Sequence, residues 1–187
     1  MGVVKKLTCL VLLLLAANTY AANYEIKRLP DGPFSIEVMG VKLNEGSSLQ
    51  KESILFNDKS CPVRLYGHTM WVKYGDSGFR FGRATNAEVS KKITALEIRT
   101  IQYDVFGRHM INLANTEAKD FAEGLVTIEG EWRASENDVA EFLTSVTYVA
   151  RVRFQDGTQW VFNSDNLRMA LSTLDLEKKI GEEESEK

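Results

Sequence analysis

The chain has 187 residues, with 23 Lys and Arg against 26 Asp and Glu, 44% hydrophobic residues and two cysteines. It is too acidic for a general nucleic-acid binder and too poor in cysteine for a disulfide scaffold. Its length suits one domain with a real core and is short for two.

Lys5 and Lys6, an apolar run of 11 residues from position 7 to 17, and the small residues Thr19, Ala21 and Ala22 read as a secretory signal peptide over 1–21, with cleavage after Ala22 the close second. At about 1.5 Å per residue the run covers roughly half of a bilayer core, which predicts no transmembrane anchor. Cys9 leaves with this leader. Removing its two lysines takes 23 basic residues to 21 and the net charge from −3 to −5. The mature chain is then expected in the periplasm or secreted. It keeps one cysteine, Cys61, expected as a small buried hydrophobe, with a reactive thiol as the alternative.

The remainder, 22–180, reads as one β-rich domain. Runs at 24–29 and 34–43 are strand-like and are divided by Pro30-Asp31-Gly32-Pro33, which predicts a hairpin or an arch. A polar loop over 44–51 leads to a strand at 53–56. Pro62 opens another at 63–66, and runs at 70–74 and 79–81 flank Gly75-Asp76-Ser77-Gly78, a hairpin spacing. The stretch 93–106 reads as the central strand, with an imperfect alternation that implies either two covered faces or a bulge near Arg99-Thr100. Ser135 with Asp138 resembles a capping box and predicts one or two helical turns.

Over 146–154, Val146, Tyr148, Ala150, Val152 and Phe154 share one face and Thr147, Val149, Arg151 and Arg153 the other, as in a half-buried strand with the second face in solvent. A three-residue loop ending at Gly157 would pair Val152 with Trp160 and bury both Trp160 and Phe162. At about 25 cal/mol per Å2 over roughly 150–250 Å2 per ring, that burial favours this loop over a two-residue Asp-Gly turn. Ser164 is expected to cap a helix over 165–180 with Leu167, Leu171, Leu174 and Ile180 as its apolar stripe, stopped by Gly181. Residues 181–187 form an acidic tail, expected to be disordered.

Charge is unevenly spread: residues 59–111 hold nine basic against four acidic side chains (+5), and 112–145 hold two against eight (−6). Within the basic stretch, Arg64, Tyr66, Trp71, Lys73, Arg80, Phe81 and Arg83 interleave cations with aromatics. That pattern suits an anionic polymer, a glycan or an acidic protein through charge and stacking, and it equally suits sandwich packing. Arg64, Trp71, Lys73, Arg80 and Arg83 are the expected partner-binding residues.

Catalytic patterns are weak, and no cofactor or metal site is expected. His68 and His109 stand apart from any ligand-spaced Cys or His and are expected at the surface or a strand edge. A Cys61 and His68 pair, or two carboxylates among Asp104, Glu129 and Glu131, would be needed for a small secreted hydrolase. Gly78-Phe79-Arg80-Phe81-Gly82-Arg83 lacks the lysine of a phosphate loop.

Gln102-Tyr103-Asp104-Val105-Phe106-Gly107 and Phe154-Gln155-Asp156-Gly157-Thr158-Gln159-Trp160 resemble the two signatures of FxLYD-type immunoglobulin-like domains of exported bacterial proteins, over roughly 53–163. Gln102 stands where that family has Leu. The resemblance implies a binding or adaptor module and brings no catalytic residues. The expectation is therefore an immunoglobulin-like antiparallel β-sandwich with a short C-terminal helix, acting as a non-enzymatic binding or assembly module. The alternatives are the hydrolase and a structural subunit that pairs through an edge strand. Deleting 181–187 is expected to leave the thermal midpoint unchanged; a drop of several degrees would show that the tail docks.

Overall fold

A computed structural model describes residues 22–29, 34–38, 41–43 and 51–180. The expected signal peptide 1–21, the turn 30–33, the loop residues 44–50 and the tail 181–187 lie outside the described residues. In chain order the strands are β1 (Tyr24–Leu29), β2 (Phe34–Val38), β3 (Val41–Leu43), β4 (Glu52–Asp58), β5 (Val63–Gly75), β6 (Gly78–Val89), β7 (Ile93–Asp104), β8 (His109–Glu117), β9 (Gly124–Ala134), β10 (Phe142–Phe154) and β11 (Gln159–Val161). Helix α1 (Glu136–Glu141) precedes β10, and α2 (Ser164–Thr173) follows β11.

The strands form two sheets. Sheet A runs β1-β4-β10-β7-β8, with β11 also on β10; sheet B runs β3-β2-β5-β6-β9. β1 and β2 fall in different sheets, so the expected pair is an arch. Most ladders are antiparallel, as an immunoglobulin-like plan requires, but β4 pairs with β10 and β2 with β5 in parallel.

The expected hairpins form for the expected reasons. β5 and β6 meet at Gly75 and Gly78, the latter at φ 85°, where a side chain would strain the backbone. Between β10 and β11, Gly157 at φ 85° closes a three-residue loop that places Val152 opposite Trp160. Phe162 is buried, and its N–H donates to the Ala150 carbonyl at 3.1 Å. Trp160 is half-buried, because its indole N–H reaches out to the Ser60 hydroxyl at 3.0 Å.

Sheet A is an inner layer. One face carries Ile54, Phe56, Ile101, Tyr103, Val146, Tyr148 and Ala150, covered by Leu167, Ala170 and Leu171 of α2; each fully buried aliphatic chain contributes about 2 kcal/mol. Its other face meets sheet B through two clusters. Leu55, Val63, Leu65, Val89, Leu96 and Ile98 are in one, and Met70, Val72, Phe81, Leu113 and Phe142 in the other.

β7 is thus covered on both faces, and its mixed alternation needs no bulge at Arg99-Thr100. β10 is not half-buried as its sequence suggests. It carries an extra residue at Ala150, between Val149 and Arg151, so Val149 and Val152 both face sheet B.

Ser135 and Asp138 form the expected capping box of α1. For α2 the cap is Asn163 rather than Ser164, its side chain accepting from the N–H groups of Asp165 and Asn166, and the helix ends at Thr173 rather than 180. The Leu176 N–H donates to the Leu171 carbonyl at 3.0 Å and the Asp175 N–H to that of Ser172 at 3.3 Å. This is a Schellman stop built on Asp175 at φ 58°. Ile180 is buried beyond the helix. Replacing Asp175 by Gly should relieve the left-handed backbone and raise stability by about 0.5 to 1 kcal/mol in urea unfolding; a loss would mean that the Asp175 side chain itself holds the turn.

Candidate functional site

Strand parity divides the five expected binding residues between the two faces of sheet B. Arg64, Trp71, Lys73 and Arg80 point outward, and Arg83 points between the sheets, where it is fully buried. Along β6 the inward residues are Phe81, Arg83, Thr85, Ala87 and Val89. Arg83 therefore shares the parity of the core phenylalanine, and Arg80 does not.

On the outer face, Lys73 lies opposite Arg80, and Arg80 opposite Arg133 of β9. These three form one cationic row across three strands, with neighbouring Cβ atoms about 5 Å apart. Arg80 Nη1 donates to Glu131 at 3.2 Å; among the described residues Lys73 and Arg133 make no ion pair. At the end of the row Glu37 of β2 is the register neighbour of Lys73. The next row holds Trp71 and Gly82. The indole lies flat over Gly82, where a Cβ would come within 2.0 Å of it, so only glycine permits that ring position. Lys73 Nζ stands 5.6 Å from the Trp71 ring, a contact worth about 0.5 to 1 kcal/mol at an exposed site. Arg64 lies further along β5 and is bound to Glu25 at 2.9 Å.

Arg133 lies in the acid-rich segment 112–145, outside the basic stretch 59–111. The pairing of β9 with β6 is what brings it beside Arg80.

Between the sheets runs a polar belt. Arg83 Nη1 donates to the Thr100 hydroxyl of β7 at 2.6 Å, and that hydroxyl lies 2.8 Å from the Thr147 hydroxyl of β10. His68, Thr85, Gln102 and Ser145 are buried at the same level, separating the two inter-sheet apolar clusters. Arg83 Nε and Nη2, both nitrogens of His68, both amide atoms of Gln102 and the Thr85 hydroxyl have no hydrogen-bond partner among the described residues. Burial holds the Arg83 guanidinium down at about 10. Burial, and then the charge of Arg83, push His68 down to about 3. His68 is thus a neutral core residue and not the expected surface histidine. His109 is half-buried at the start of β8, its Nε2 3.1 Å from Asn112 Oδ1.

Of the catalytic candidates, Glu129 and Glu131 share the exposed face of β9, and Asp104 lies in sheet A. Burial pushes the Cys61 thiol up to about 12, and the thiol packs by the start of β5 against the Val63 N–H, whereas His68 lies opposite Thr85 further along the strand, so neither activates the other. Asp104 accepts from the N–H groups of Phe106 and Arg108 and so closes a turn. Glu131 is paired with Arg80 on the other sheet. Among the described residues no group of His, Cys, Asp and Glu could hold a metal ion, and no helix is long and apolar enough to cross a membrane. Comparison of the chain with protein-family profiles, curated proteins and solved structures finds no match.

The belt makes stability depend on pH. His68 titrates near 3 when folded and near 6.5 when unfolded, so on acidification the unfolded chain takes up the proton first. This stabilisation is complete above about pH 6.5 and is lost progressively toward pH 3. From pH 7 to 5 the loss through this group is about 2 kcal/mol. Urea unfolding at the two pH values should show that loss in the wild type and a smaller one in His68→Leu; equal slopes would contradict the buried neutral imidazole.

Proposed function

We propose that the protein is an exported, non-enzymatic binding module that recognises an anionic or acidic partner through the outer face of sheet B. The observation that carries this reading is the row Lys73, Arg80 and Arg133 beside the flat Trp71 ring. Like charges placed directly opposite one another cost stability, so such a row is worth keeping where an anion is to be met. Trp71 adds a face on which a sugar ring or an aliphatic stem can stack. Export to the periplasm or medium rests on the leader at 1–21, and the module role fits the resemblance to FxLYD-type domains.

The chain as a whole is acidic, with a sequence pI near 5.5. It should therefore pass through a polyanion column unless a local patch holds it. Residues 22–187 are expected to bind immobilised heparin at low salt and to elute as salt rises. A Lys73→Glu, Arg133→Glu double variant should flow through while unfolding at the same urea midpoint. Wild-type flow-through, or a variant that still binds, would count against this face as the site.

A further inference from the structure

Opposite Arg83 on β9 stands Gly130. The space a side chain would occupy there is filled by the Trp132 ring, 2.5 Å from where a Cβ on Gly130 would lie. The same ring lies 5.1 Å from the Arg83 guanidinium. It is only half-buried, and its Nε1 donates to the Ala114 carbonyl of β8 at 2.9 Å. The ring is thus a plug at the side of the sandwich, between the edge strands β8 and β9, with a fully buried cation behind it.

What that cation leaves unused has a definite shape. Arg83 spends Nη1 on Thr100, and its Nε and Nη2 donate to no described residue. Those two N–H groups form the side-on edge of the guanidinium, two parallel donors that match the two oxygens of a carboxylate. No carboxylate among the described residues forms an ion pair with Arg83; its charge is met there by the Trp132 ring and the Thr100 hydroxyl, and a buried guanidinium without an anion remains costly. Gln102 adds an unpartnered amide and Thr85 an unpartnered hydroxyl at the same level. Beyond them Met70, Val72 and Phe81 make the wall apolar.

We propose that this belt is a binding site for a small monocarboxylate with an apolar body. Its carboxylate takes the Nε and Nη2 edge of Arg83, and its body enters the slot over Gly130 once Trp132 swings out. The site is separate from the outer face and does not depend on the function assigned to it.

Butyrate is the probe, with sodium chloride and butylamine at matched ionic strength as controls, on residues 22–187. Butyrate should raise the thermal midpoint by several degrees, because it binds the folded chain alone, and should change tryptophan fluorescence as Trp132 moves. Arg83→Met replaces a buried charge by an apolar chain of similar length, so it should fold at least as well as wild type and lose the butyrate shift. Arg83→Lys keeps the charge without the fork and should show a much smaller shift, which decides the matter if the Met variant does not fold. A midpoint unmoved by butyrate would overturn the proposal. So would an equal shift with chloride, or a shift retained in the Arg83 variants.

Discussion

The interior of this sandwich is organised around a guanidinium with no counter-charge among the described residues. Arg83 leaves β6 toward sheet A and meets the Thr100 hydroxyl, which in turn lies against Thr147, so one chain of polar contacts crosses from sheet B to the two central strands of sheet A. A layer of apolar side chains would tolerate sliding of one sheet over the other. A charged donor that must find its acceptor fixes the register between them, because leaving that donor without a partner in the interior costs more than the bond itself contributes. The belt also divides the inter-sheet core into two apolar clusters, and it sets the electrostatics of His68, which stays neutral beside the cation.

The exposed face follows from the same parity. With Arg83 turned inward, Lys73, Arg80 and Arg133 must turn outward, since alternate residues on paired strands share a face. Sheet A cannot offer an equivalent surface, because α2 covers its other side with Leu167, Ala170 and Leu171. The molecule is therefore layered as helix, sheet, polar belt, sheet and cationic face. The proposed partner recognition uses the face that the helix leaves open, and the proposed small-ligand binding uses the belt.

Much of the fold was legible in the residues. The two glycine-closed hairpins, the capping box at Ser135 and the register that places Trp160 opposite Val152 all rest on local rules, a positive φ, an N-terminal cap and the burial of an aromatic. Five features were harder to read, most of them for nonlocal reasons. The end of α2 falls at Thr173 because Asp175 adopts the left-handed conformation usually given to glycine. Thr147 read as a solvent-facing residue because the extra residue at Ala150 and the cover of α2 on the other face leave no trace in a simple alternation. His68 read as a surface residue, yet the register shift in β5 between Leu65 and Gly67 helps turn it inward. Arg83 read as a surface cation beside Arg80, although its spacing from Phe81 already put it on the core face; general preference for exposed arginine outweighed a parity that was there to be seen. Arg133 could be found only through the pairing of β9 with β6.

The inward orientation of Arg83 is tested most directly by its own Nε–H proton. In 15N-labelled protein the Arg83 signal, assigned by its loss in Arg83→Lys, should persist at mildly alkaline pH, where exposed guanidinium protons exchange with water too fast to be seen. A signal that bleaches together with those of the exposed arginines Arg64 and Arg133 would place Arg83 in solvent and contradict the polar belt.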